Sequence, residues 1–242
     1  MKKPEMILFD YGHTLCYEGG FDCQKGMEVL IANAAENPLG VTPEELRKKN
    51  DEMYAYLDKN IFPHNIEMHH HIYFRTLFDS FGLKFNKPFE ELEEIYWDAA
   101  APPSPMPGAE EIIDFLNKHN IRTGIISNMS FSGAALTKRI NKLLPENNFE
   151  FILASSEYGW RKPEKFMFEA AIAKAALPAE SIWFCGDNTQ ADIVGAHSVG
   201  MLPVWVCSPV KCYYRDPAHD VLPNFDYVKI ENLTQLEDLI EL

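Results

Sequence analysis

Four separated stretches of this chain carry the residue types of a reactive centre. Asp10 ends the apolar run Met6-Ile7-Leu8-Phe9 and leads into Tyr11-Gly12-His13-Thr14-Leu15. Ile125-Ile126 ends in Ser127-Asn128, Arg161-Lys162-Pro163 opens a helical pattern, and Trp183-Phe184-Cys185 runs into Gly186-Asp187, with Asp192 soon after. Each has an ordinary structural explanation. Asp10 caps a strand–loop junction, as Asp often does. Ser127 caps a helix, Lys162 is a solvated lysine, and Asp187 and Asp192 are turn and first-turn acids that complement a helix dipole. Together they supply a carboxylate fit for attack or metal binding, a hydroxyl donor, a cation and two further acids. Phosphoryl transfer through an aspartyl intermediate needs that set.

These residues work together only if the fold brings them to one edge. The run at 6–9 is too short for an isolated helix and reads as a strand buried on both faces, as in the middle of a parallel sheet. In open α/β sheets the carboxyl edge of such strands is where ligands bind. From 109 onward helices and strands alternate: helix 109–119 and strand 121–126, helix 132–144 and strand 149–154, helix 163–176 and strand 181–185, helix 191–199 and strand 202–206. A strand at 227–230 and a helix at 233–240 close the pattern. Repeated units of this kind predict a doubly wound parallel sheet with right-handed crossovers.

Residues 16 to about 100 read differently, with four helical patterns and no convincing strand. The clearest starts at Thr42, with Pro43 at the first helical position and Glu45 completing a capping box. The others cover 24–36, 66–81 (closed by Gly82) and 88–100, and the proline-rich segment 101–108 reads as a hinge. The expectation is a Rossmann-like three-layer α/β/α core at 1–15 and 103–242, interrupted by a small all-helical cap at 16–102 that is placed to act as a lid.

The chain has 242 residues, a formal net charge of −14, 46% apolar residues and 24% charged ones. Such an acidic surface repels nucleic acid and anionic membranes, so neither is an expected partner. No apolar stretch approaches the roughly 20 residues needed to cross a bilayer. The apolar run after Lys2-Lys3 stops at Asp10, unlike a signal peptide. Five cysteines with no C-x-x-C pair fit a reducing cytoplasm. Neither G-x-G-x-x-G after a strand nor G-x-x-x-x-G-K-[ST] occurs, so dinucleotide and P-loop sites lack their phosphate cradles.

The motifs resemble those of the haloacid dehalogenase-like superfamily over essentially the whole chain. The family's D-x-D-G-T-L appears as Asp10-Tyr11-Gly12-His13-Thr14-Leu15, its strand ending in Ser or Thr as Ile125-Ile126-Ser127-Asn128, its Lys-Pro pair as Lys162-Pro163, and its G-D-x-x-x-x-D as Gly186-Asp187 to Asp192. The insert resembles the family's type-1 cap. The resemblance implies that Asp10 attacks phosphorus and that Mg²⁺ is held by Asp10, the Gly12 carbonyl and Asp187, with Asp192 nearby or acting through water. It also implies that Ser127, with Asn128, binds phosphoryl oxygens and that Lys162 balances the charge. The implied substrate is a small phosphorylated metabolite.

Gly12 departs from the pattern. Family phosphatases carry a second Asp there, which protonates the leaving group and later activates water. A glycine leaves the backbone carbonyl for metal but removes the acid, a group that typically contributes 10²–10⁴-fold in rate. His13 is the adjacent candidate, since imidazole titrates near neutrality. Haloacid dehalogenases and phosphonate-cleaving relatives also lack that Asp. The first is disfavoured by the intact Gly186-Asp187 pair, and the second lacks a clear cap lysine among Lys25, Lys48, Lys49 and Lys59. A non-catalytic phospholigand-binding member is the remaining alternative. His64, His69, His70 and His71 form no metal set, because consecutive helical residues point about 100° apart; they read as a partly exposed helix face. Trp160 and the segment 211–220 receive no role.

Overall fold

The computed structural model describes residues 3–215 and 220–241. Strand β1 (Met6–Phe9) lies at its centre because successive strand residues point to opposite faces. Met6 and Leu8 enter one buried cluster with Met167, Phe168 and Phe184, whereas Ile7 and Phe9 enter another with Ile112, Leu116 and Leu136. All four are fully buried, each stabilising the fold by about 1.5–3 kcal/mol through loss of contact with water. A strand apolar on both faces must lie between two helical layers.

The chain continues through β2 (Cys16–Glu18), α1 (Cys23–Ala32), β3 (Ala34–Glu36), α2 (Pro43–Asn60), α3 (His70–Asp79), β4 (Lys84–Phe85), α4 (Phe89–Ala100) and β5 (Pro103–Pro105). It then alternates through α5 (Ala109–Lys118), β6 (Arg122–Ser127), α6 (Gly133–Leu143), β7 (Phe149–Ala154), α7 (Ser155–Tyr158), α8 (Lys165–Ala175), β8 (Ile182–Gly186), α9 (Gly195–Ser198), β9 (Leu202–Val206), β10 (Val228–Ile230) and α10 (Gln235–Leu239). Six strands form a sheet in the order β10-β9-β8-β1-β6-β7, every neighbouring pair parallel. Phe9 stands opposite Ile125 on one side and Cys185 on the other. That register brings Asp10, Ser127 and Asp187 to one edge. The expected α/β architecture is the observed one.

Helices α1 to α4 pack around a third cluster that includes Leu30, Leu46, Phe74, Leu77 and Leu92. The capping box on α2 forms as expected: Glu45 N donates to Thr42 Oγ1 at 3.2 Å, and Thr42 N donates to Glu45 Oε2 at 2.9 Å.

This insert is mainly helical, but the expectation of no strands within it does not hold. The helix read at 24–36 stops at Ala32, and Ala34–Glu36 pairs antiparallel with Lys84–Phe85. Asn33 ends the helix by donating its own side-chain N–H to Val29 O at 2.8 Å. The proline-rich segment is a strand: β5 pairs antiparallel with β2, so the two chain crossings between core and insert lie side by side. Prolines suit an edge ribbon, where a missing N–H costs no ladder bond. Helix α3 begins at His70 instead of 66, because the preceding residues bond elsewhere: Glu67 N donates to Gly159 O and Arg161 N to Asn65 O. The helix expected at 191–199 opens as a π-helical turn over Thr189–Val194. Among the described residues no helix is long and apolar enough to cross a membrane.

Candidate active site

Asp10 follows β1 directly, and its backbone N–H donates to Cys185 O at 2.9 Å, which ties it to the end of β8. Lys162 reaches it from the loop before α8. Its Nζ donates to Asp10 Oδ1 at 2.8 Å and to Ile126 O at 2.8 Å, and lies 2.6 Å from Asp192 Oδ1. The lysine is 3% exposed. Burial alone lowers its pKa, but Asp10 and Asp192 outweigh that and hold it above the usual lysine value. A buried cation between two carboxylates is a charge pivot, unlike the solvated lysine of the simpler reading.

Asp187 completes the acidic set. Single carboxylate oxygens of Asp10, Asp187 and Asp192 lie within 4.8 Å of one another. Burial, followed by repulsion from Asp192 and Asp10, pushes Asp187 up to about 8. Burial likewise pushes Asp192 up to about 6, with Lys162 opposing and Asp10 adding to the rise. Gly186 makes this crowding sterically possible: a Cβ there would lie 2.4 Å from the Asp192 side chain. The Asp192 carboxylate is already committed, to Lys162 and, through Oδ2, to Asn188 N at 3.0 Å. The second charge on the cluster is Arg215, whose Nη2 donates to the Asp187 carboxylate and, at 3.1 Å, to its backbone carbonyl. Three converging hard-oxygen donors, two of them with raised pKa values, fit a divalent cation, and the guanidinium stands in for one.

The other expected site residues separate into two groups. Ser127 ends β6 and lines the cavity over Asp10. Asn128 also lines it, but its amide is occupied by the backbone of Lys162: Lys162 N donates to Oδ1 at 2.7 Å, and Nδ2 donates to Lys162 O at 2.9 Å. Gly12 lies beside Asp10 with its backbone outside the left-handed region. His13 is not in the cavity lining. It is 3% exposed, sits at φ +54°, and neither ring nitrogen has a hydrogen-bond partner among the described residues. Burial and then Arg215 hold its pKa below the usual histidine value. His13, the adjacent candidate for the missing acid and for the phosphate site, thus stands in this structure as an interior ring outside the cavity lining. Of the histidines expected on a partly exposed helix face, His69 and His71 are half-buried, and His70 departs from that face. His70 is buried, borders the cavity and lies 3.3 Å from Glu93, which His71 also meets at 3.2 Å.

Sequence reasoning missed three contributors. Tyr214 and Arg215 come from the irregular segment after β9, where no periodicity or motif marks them. Glu67, from the insert, accepts from Ser130 Oγ, Ser155 Oγ and Arg161 Nη1, each at 2.8 Å, and so ties the insert to the core. Between them lies a cavity of about 900 Å³, with Asp10, Lys162 and Ser127 on one wall and Tyr54, Tyr73 and Trp97 of the insert on the other. Tyr214 borders it as well.

Residues 43–206 match the family model described as haloacid dehalogenase-like hydrolase, a span that contains Ser127, Lys162, Asp187 and Asp192. The chain is 26% identical over 256 residues to the glyceraldehyde 3-phosphate phosphatase of Pyrococcus furiosus, covering 100% of this chain and 95% of that one. It is 27% identical over 161 residues to the pyrimidine 5'-nucleotidase YjjG of Escherichia coli, covering 66% of this chain and 68% of that one. In structure it resembles a HAD phosphatase from Thermococcus onnurineus, with a TM-score of 0.60 at 20% identity, over 99% of this chain and 97% of that one. A family match over more than half of the chain, on a parallel sheet whose one edge gathers these acids and this lysine, makes the chain a hydrolytic enzyme of the haloacid dehalogenase-like hydrolase family.

Proposed function

We propose that the chain is a phosphomonoester hydrolase, acting in the cytoplasm on a small phosphorylated metabolite through an aspartyl-phosphate at Asp10. The observation that carries this reading is Lys162 Nζ held between Asp10 and Asp192, which fixes the nucleophile and offers a positive charge beside the group it attacks. Ser127 donates to a phosphoryl oxygen from the end of β6, and Asn128 acts by positioning Lys162. Asp10, the Gly12 carbonyl and Asp187 would hold Mg²⁺, with Asp192 behind them. When bound, the ion supplies positive charge to the phosphoryl oxygens. The whole-length likeness to a glyceraldehyde 3-phosphate phosphatase supports the reaction class, and five free cysteines suit the compartment.

A second reading is metal-free displacement of halide from a 2-haloacid by Asp10. One observation favours it: the Arg215 guanidinium already compensates Asp187. The test is turnover of a panel of phosphomonoesters and 2-haloacids, each in Mg²⁺ and in EDTA. Phosphate release that requires Mg²⁺ is expected. Halide release in EDTA would transfer the assignment to the second reading.

A further inference from the structure

The residue that would protonate the leaving group is missing from position 12, and the structure offers a replacement for it. Building a Cβ on Gly12 puts it 3.3 Å from the hydroxyl oxygen of Tyr214 and 4.0 Å from Asp10 Oδ2. We propose that the Tyr214 hydroxyl carries out the proton transfers that a carboxyl side chain at position 12 would otherwise perform, a role that rests on the phosphomonoesterase reading.

Three observations single out this group. First, Tyr214 borders the cavity that contains Asp10 and Lys162, whereas the neighbouring His13 does not. Second, the charged side chains around Asp10 are committed: Lys162 to Asp10, Ile126 O and Asp192, Asp192 to Lys162 and Asn188, and Arg215 to Asp187 and Asp220, whereas the Tyr214 hydroxyl meets the Cys212 thiol, a weak hydrogen-bond partner. Third, the phenol is supported from below. The His13 ring meets the Tyr214 ring edge-on, with centroids 5.4 Å apart and planes at 72°. The turn that lacks the acid thus holds up the ring that brings a hydroxyl to its place.

The chemistry balances. As Asp10 attacks phosphorus, the bond from phosphorus to the leaving oxygen breaks, and that oxygen takes the Tyr214 proton to depart as an alcohol. A water molecule then attacks the aspartyl-phosphate and gives one proton to the phenolate. This releases phosphate and restores both the Asp10 carboxylate and the Tyr214 hydroxyl.

The test compares kcat/KM, which reports on events up to loss of the leaving group, for glyceraldehyde 3-phosphate and p-nitrophenyl phosphate. The alkyl ester needs a proton on its leaving oxygen, and nitrophenolate hardly does. In Tyr214→Phe, kcat/KM on the alkyl ester should fall by about 100-fold or more and on the aryl ester by no more than about threefold. Tyr214 is 56% exposed, so the variant should melt with the wild type. Adding Gly12→Asp to Tyr214→Phe should restore the alkyl rate by at least about tenfold, since the phenylalanine removes the hydroxyl that a Cβ at position 12 would crowd at 3.3 Å and the backbone there is not left-handed. Equal losses on both esters, or no loss on the alkyl ester, would overturn the assignment to Tyr214. A wild type inert on every phosphoester would instead overturn the phosphomonoesterase reading beneath it.

Discussion

The side-chain amide of Asn128 holds the backbone of Lys162 at both ends, accepting from its N–H at 2.7 Å and donating to its carbonyl at 2.9 Å. The end of β6 therefore sets the position of a lysine that belongs to a distant loop, and through it the position of Asp10. Asn128→Ala leaves two backbone groups of a buried residue without partners, at about 1–3 kcal/mol. The expected outcome is a lower thermal midpoint together with a fall in kcat. A variant that keeps the wild-type midpoint and kcat would show that Lys162 is held by its carboxylates alone.

Asp10→Asn preserves the shape of the residue and removes its nucleophilic charge. Hydrolysis should fall to background while the circular dichroism spectrum stays native. Because Lys162 keeps Asp192 at 2.6 Å, the fold retains one of the two carboxylates that compensate the buried cation. Turnover near the wild-type rate would place the chemistry elsewhere.

Millimolar Mg²⁺ should raise the thermal midpoint, since a ligand of the native state alone stabilises it by mass action. Asp187 and Asp192 sit above their unfolded pKa values, so between the ordinary carboxylate range and about 8 the native state binds more protons than the unfolded one. Stability without metal therefore falls as pH rises through that window. Protons and Mg²⁺ compete for the same oxygens, so the midpoint rise should be larger at about pH 8.5 than at about pH 6. Asp187→Asn should remove most of it. Arg215→Gln should lower the Mg²⁺ concentration needed, because the guanidinium no longer covers the Asp187 carboxylate. Differential scanning fluorimetry across both pH values reads all of this, and a wild-type midpoint indifferent to Mg²⁺ would count against the site.

Glu67 joins the insert to the core through Ser130, Ser155 and Arg161, with its side chain fully buried. Glu67→Ala should destabilise the protein by about 1–3 kcal/mol, because Ser130, Ser155 and the half-exposed Arg161 lose their shared acceptor. Chemical denaturation measures the loss. A change under about 1 kcal/mol would mean that the apolar contacts of the insert hold it without this carboxylate.

Local chemistry in the sequence determined the outline. The apolar run 6–9 could only be a doubly buried strand, the alternation after 109 required a parallel sheet, and Thr42, Pro43 and Glu45 set the start of α2. Asp10, Ser127, Lys162, Asp187 and Asp192 were legible because each closes or follows a patterned element at the carboxyl edge of that sheet. Other features depended on contacts between segments far apart in the chain. Asn128 grips Lys162 only when β6 and the loop before α8 meet, and the His13 ring meets Tyr214 only when the segment after β9 folds against the turn that follows β1. Tyr214 and Arg215 lie in an irregular segment, where no period or motif marks a residue, and Glu67 falls at the start of the pattern read as helix 66–81, where nothing marks it as a link to the core. Their positions come from tertiary packing, which brings a hydroxyl beside Gly12, a guanidinium onto Asp187 and a carboxylate between insert and core.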